Sequence, residues 1–124
     1  RFMKDRKPLY AEALHVNSSY LTAVSNDYGF EKTYSIMIEA SGKSGDILLA
    51  LSTSGNSANV IQALKKANEL GMKTIGLSGS SGGEMNGLCH TLLKIPSSSA
   101  ARIQEAHILI GHIICELVEE KIFE

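Results

Sequence analysis

The apolar run Asp46-Ile47-Leu48-Leu49-Ala50-Leu51 leads directly into Ser52-Thr53-Ser54-Gly55-Asn56-Ser57, and a helix-patterned stretch follows without a linker. No other feature constrains the fold as tightly. An unbroken apolar run of strand length reads as a strand buried on both faces, as in a parallel sheet covered by helices. After the serines, residues 58–70 space Val60, Ile61, Leu64, Ala67 and Leu70 at helical intervals, and Gly71 stands where a C′ residue belongs. A helix that starts on the heels of a strand presents unpaired N–H groups and the positive end of its dipole. Ser57 alone would serve as an N-cap. Four hydroxyls in six residues exceed what a cap needs, so the turn reads as a phosphate site.

The rest of the chain repeats the alternation. Residues 9–16 read as a strand interrupted by Glu12. Ser18-Ser19 reads as a cap ahead of a short helix, and Asn26-Asp27-Tyr28-Gly29 as a turn. A second short helix is expected over residues 31–40, ended by Ser41-Gly42. Residues 72–77 form another apolar strand, which runs into the loop Ser78-Gly79-Ser80-Ser81-Gly82-Gly83. Residues 84–88 allow one helical turn, residues 91–95 a last strand stopped by Pro96, and residues 100–121 a long closing helix. Strands alternating with helices imply an α/β domain with a parallel sheet and right-handed crossovers. With 124 residues and neither linker nor repeat, the chain reads as one domain, residues 1–124.

Composition excludes several classes. Thirteen acidic residues balance twelve basic ones, leaving no electrostatic footprint for nucleic acid or an anionic membrane. No apolar run has the length of a membrane span. Cys89 and Cys115 are too few for a disulfide framework, lack metal-ligand spacing and sit among apolar residues. They read as buried thiols in a reducing cytoplasm.

The closing helix carries Ile103, Ala106, Ile108, Leu109, Ile110, Ile113, Ile114, Leu117 and Val118, with almost no polar face across its middle. Such a helix is buried on more than one side, and in so small a protein a second subunit is the expected partner. Gln104, Glu105, His107 and His112 lie within this apolar environment. The cluster admits two readings: core histidines with satisfied partners, or a site. Gly79-Ser80-Ser81-Gly82-Gly83 matches the nucleophile elbow G-x-S-x-G in form, but a substantial helix must follow an elbow and Gly87 breaks the one here. A flexible Gly/Ser loop is the better account. Neither G-x-G-x-x-G opening a helix nor G-K-[ST] occurs. His15 and His90 stand alone and read as structural or surface residues.

Taken together, the residues from Leu51 to Val60, Gly71-Met72-Lys73, and Ala101-Arg102-Ile103-Gln104-Glu105 with His112 eight residues past Gln104 closely resemble the phosphoheptose isomerases of the sugar isomerase (SIS) superfamily. Ser25-Asn26-Asp27-Tyr28-Gly29-Phe30 is similar to their substrate loop. The resemblance spans essentially the whole chain. It implies a three-layer α/β sandwich of the SIS, flavodoxin-like kind. It also implies conversion of sedoheptulose 7-phosphate to D-glycero-D-manno-heptose 7-phosphate in a bacterial cytoplasm, feeding surface polysaccharide synthesis. Ser52, Thr53, Ser54 and Ser57 would hold the phosphate of this seven-carbon sugar, Asn26 and Asp27 its hydroxyls, and Gln104 would contact substrate. His112 would be the acid/base partner, and in zinc-binding members Gln104 and His112 are both ligands. Eight helical residues rise about 12 Å, so ligands from a neighbouring subunit are an equal alternative to convergence from one helix. A homo-oligomer is expected, with four subunits as the expected number.

The chemistry suits these residue types. Moving a carbonyl between C2 and C1 passes a proton through an enediol; one carboxylate can shuttle it while a histidine exchanges protons with the oxygens. In the resembling family the catalytic Glu, a metal-binding His and a first phosphate loop lie N-terminal to the segment matched by Arg1-Phe2, together with the first strand and preceding helices. The chain therefore reads as the C-terminal two thirds of the enzyme, inactive by itself. Glu12 within an apolar strand and His90 in place of the usual Asp are departures from the pattern. The rival reading is a non-catalytic SIS module that binds a phosphosugar or a protein partner.

Overall fold

A computed structural model of the chain describes residues 1–123. Asn17 caps the first helix, α1 (Ser18–Tyr28), by accepting from the Tyr20 amide at 3.0 Å. A 3₁₀ turn over Phe30–Lys32 leads into α2 (Thr33–Ser41), where Gly42 ends the helix. The strand β1 (Ile47–Ser52), helix α3 (Ala58–Glu69) and strand β2 (Lys73–Ser78) follow as a βαβ unit. A second 3₁₀ segment, Gly83–Gly87, precedes β3 (Thr91–Lys94) and the closing helix α4 (Ala100–Ile122). All three strands are parallel, in the order β1-β2-β3, with Leu51 opposite Leu77 and Leu77 opposite Leu93. The expected α/β architecture stands, and it extends to a crossover helix with Ser57 at its N-cap position and Gly71 following at φ +74°.

The core lies on one side of the sheet. Ile38 of α2 meets Ala63, Ala67 and Met72, with Leu48 and Tyr34 against them. Beside this, Ala50, Ile61, Leu64 and Met85 form a second cluster with Leu92 and Cys89. Alternation along β1 sends Leu48 and Ala50 to this side and Ile47, Leu49 and Leu51 to the other. On that other face Leu77 is fully buried, whereas Leu51 and Leu93 beside it are 48 % and 41 % exposed. α4 covers the central strand and leaves its neighbours open.

Several local expectations are corrected. Residues 9–16 form no strand. The Val16 amide turns back to the Ala13 carbonyl, Tyr10 bonds Glu12, and the segment pairs with no strand among the described residues. A groove of about 1170 Å³ separates it from the outer edge of β1. Asn26 and Asp27 are not in a turn but in the last turn of α1, which Gly29 stops at φ +91°. β1 is buried on one face rather than two. α4 buries Ile103 and His107 towards the sheet and Glu119 beneath residues 2–6, and it leaves Ile108, Leu109, Ile113 and Leu117 exposed rather than covered all round. Cys115 is exposed and Cys89 half-buried, where burial raises its thiol pKa. No described helix is long and apolar enough to cross a membrane.

Candidate functional site

Parallel strands place their following loops side by side at one end of the sheet, and ligands in open α/β folds bind there. In this chain those loops are Thr53–Ser57 after β1 and Gly79–Gly83 after β2. Within the first, the Ser52 hydroxyl lies 2.8 Å from the Ser57 hydroxyl and 3.4 Å from that of Ser54. The Asn56 amide donates to Ser54 Oγ at 3.1 Å. Ser57 occupies the N-cap of α3 with extended backbone (φ −62°, ψ 116°), yet its side chain makes no capping bond. Its hydroxyl turns to Ser52 instead, and among the described residues no side chain accepts from the amides of Ala58 and Asn59. Three linked hydroxyls and free helix-start amides make a neutral cradle of donors with a positive dipole behind it, the setting for an oxyanion.

The second loop braces the first, so it is not the flexible Gly/Ser connection that its composition implies. Gly79 N–H donates to the Thr53 carbonyl at 3.0 Å, and Met85 N–H to the Gly55 carbonyl at 3.2 Å. Asn56 Oδ1 accepts from the Glu84 amide at 2.8 Å. Gly55 sits at φ +71°, and a Cβ there would strike the Gly82 carbonyl. Asn56 and the Gly55–Gly82 contact hold the serine hydroxyls in place, a role that composition did not reveal. The adjacency of two parallel strands is the signal that would have found it.

The remaining candidates fall elsewhere. Asn26 and Asp27 are exposed at the end of α1 and bond each other at 2.8 Å. On α4, Gln104 and His112 are exposed, and Glu105 pairs with Arg102 at 2.6 Å. Of the four polar residues expected within an apolar environment, only His107 is buried. It lies 3.4 Å from the Ser78 carbonyl and is a core histidine. His112 instead meets the edge of the Phe2 ring, centroids 5.8 Å apart. His90 is structural: its Nδ1 lies 2.7 Å from the Thr74 hydroxyl, tying β2 to the turn before β3. No three His, Cys, Asp or Glu side chains among the described residues gather closely enough to hold a metal. Gln104 and His112 supply two donors, so these residues do not complete a zinc site by themselves.

Comparison with known proteins accords with this geometry. The SIS domain family matches residues 2–79. The phosphoheptose isomerase of Clostridium acetobutylicum is 50 % identical over 123 residues, which are 99 % of this chain and 63 % of that protein. That of Rhodospirillum rubrum is 49 % identical over 120 residues, 97 % of this chain and 64 % of the relative. Among solved structures, a phosphoheptose isomerase from Francisella tularensis superposes with a TM-score of 0.90 at 40 % identity, over 93 % of this chain and 62 % of that one. The enzyme from Neisseria gonorrhoeae gives 0.84 at 45 % identity, over 86 % and 61 %. The chain thus spans somewhat under two thirds of the length of these relatives.

Proposed function

The chain belongs to the SIS domain family, and from that premise we propose that the protein these residues form part of is an aldose–ketose isomerase. Its substrate is sedoheptulose 7-phosphate and its product D-glycero-D-manno-heptose 7-phosphate. The observation that carries this reading is the hydroxyl triad Ser52, Ser54 and Ser57 at the start of α3, together with about 50 % identity to phosphoheptose isomerases across nearly the whole chain. The triad and the helix amides bind the phosphate. Binding energy gathered there orients carbons at the far end of the sugar.

His112 on α4 takes the other role, moving a proton between the sugar oxygens while a carboxylate outside the described residues carries the carbon-bound proton. Asn26, Asp27 and Gln104 contact the sugar hydroxyls. The exposed apolar stripe of α4 is the surface on which copies of the chain assemble, four in the proposed enzyme. The setting is a bacterial cytoplasm and the product feeds surface polysaccharide. A zinc ion on Gln104 and His112 requires further donors from outside the described residues; metal analysis of the full-length protein tests it, and no step above runs through it.

The decisive experiment is direct. Full-length protein is incubated with sedoheptulose 7-phosphate and the aldose product is measured, with residues 1–124 alone in parallel. The full-length protein is expected to turn over and the shorter chain to remain inactive while retaining phosphosugar affinity. Phosphosugar binding without turnover by the full-length protein would favour a non-catalytic binding module.

A further inference from the structure

Glu119 is 1 % exposed, an unusual position for a carboxylate near the end of a surface helix. Its Oε1 accepts from the Phe2 amide at 2.9 Å and from Arg6 Nε at 2.7 Å. Its Oε2 accepts from the amides of Met3 at 2.5 Å and Lys4 at 2.8 Å. Successive backbone amides that converge in this way form an anion-binding concavity, filled here by the protein's own side chain. Burying an ionised carboxylate is costly unless every acceptor position is used, and here each oxygen accepts two hydrogen bonds. Burial pushes the carboxyl pKa up, but the three amides and Arg6 outweigh it and hold it at about 2. Arg6 further packs over the Phe123 ring, and Lys4 Nζ reaches the Phe123 carbonyl at 3.0 Å.

The strap so fastened carries one ring to one place. Phe2 meets His112 edge-on at an interplanar angle of 61°. Glu119 lies seven residues beyond His112, two helical turns along the same face of α4. The His112 side chain makes no hydrogen bond among the described residues, and the Phe2 edge packs against its ring. We propose that Glu119 is a positioning residue for His112, acting through the clasped strap of residues 2–6 and the Phe2 ring. This rests on the reading of His112 as the acid/base group.

The test uses the full-length protein and three variants. Glu119→Gln keeps the side-chain volume but sets an NH₂ group against amide donors. Phe2→Leu keeps the clasp and removes the ring edge, and Phe2→Tyr restores the ring. Misplacing a reacting group is costly even over short distances, so kcat is expected to fall about tenfold in Glu119→Gln and in Phe2→Leu. KM should stay within about twofold, because the serine loop belongs to other elements, and Phe2→Tyr should recover most of the lost kcat. A lowered Tm with wild-type kcat in both Glu119→Gln and Phe2→Leu overturns the proposal and leaves the clasp purely structural. Should Glu119→Gln not fold, the Phe2→Leu and Phe2→Tyr pair decides alone. If the wild-type protein turns over no heptose phosphate, the functional reading fails instead. The positioning is then read from the ring-to-ring nuclear Overhauser contact between Phe2 and His112. Its loss in Glu119→Gln, with its retention in Phe2→Tyr, supports the inference, and its persistence in Glu119→Gln refutes it.

Discussion

α3 and α4 flank the same small sheet and settle their apolar residues in opposite ways. In twelve residues α3 buries Ile61, Ala63, Leu64 and Ala67 against β1, β2 and α2. In twenty-three residues α4 buries three side chains, Ile103, His107 and Glu119, and two of those are polar. The difference divides the candidate site. The proposed phosphate-binding half rides on a helix whose packing is finished within the chain, and residues 79–85 hold the serine loop. The proposed acid/base half rides on a helix whose apolar side is open and whose other end is clasped to the N-terminal strap. On the proposed reading, binding is a local property of one βα turn, whereas catalysis depends on parts brought together from afar.

The largest test of that division is His112→Gln in the full-length enzyme. Loss of an acid/base group is expected to lower kcat by about 10²–10⁴-fold with KM little changed, and steady-state kinetics reads both. Loss of turnover in His107→Gln but not in His112→Gln would move the role to the buried histidine. Next comes Leu64→Ala, which opens a cavity in the finished half and should cost about 2–5 kcal/mol in chemical denaturation. Ser54→Ala removes a hydroxyl proposed to bond the substrate phosphate, a bond worth about 1.5–3 kcal/mol, so KM should rise about tenfold or more while kcat changes less. An unchanged KM in a folded variant would take the phosphate away from this loop.

Acid should affect the α4 side selectively. The Glu119 carboxyl titrates at about 2 against an ordinary 4.5, so the folded state binds its proton less readily than the unfolded one. Its contribution to stability is complete above about pH 4.5 and is lost as pH falls towards about 2. Thermal melts across that window should show a decline that Glu119→Gln reduces. The smallest effect belongs to Leu109→Ala on the open stripe. At 61 % exposure its loss should change the stability of the isolated chain by about 0.5 kcal/mol or less. A large loss would mean that the stripe is covered, and sedimentation at matched concentration would show whether a second copy covers it.

Sequence pattern carried the sheet and its crossover because local chemistry sets them: an apolar run, hydroxyls and a C′ glycine within 26 residues. The hydroxyl triad was legible for the same reason. What escaped were features made by residues distant in the chain. Glu119 reads as one more acid in Glu116-Leu117-Val118-Glu119-Glu120 until the amides of residues 2–4 arrive more than a hundred positions away. Gly82 reads as slack until Gly55 is set against it. The apolar surround inferred for Gln104 and His112 failed because periodicity reports a side chain's hydrophobicity and not whether a partner is present to bury it. The strand expected over residues 9–16 failed in a related way, since a strand exists only with a neighbour to pair with.

That missing pairing has a consequence for how the chain behaves in crowded solution. β1 ends the sheet among the described residues, and its outer edge faces a groove rather than another strand. Edge strands in stable proteins are commonly guarded by charge, proline or a bulge. Ile47-Leu48-Leu49-Ala50-Leu51 has none of these; Asp46 stands at one end and the serines at the other. The strand that announces the fold is therefore also the one that, among the described residues, offers an open edge to a further strand.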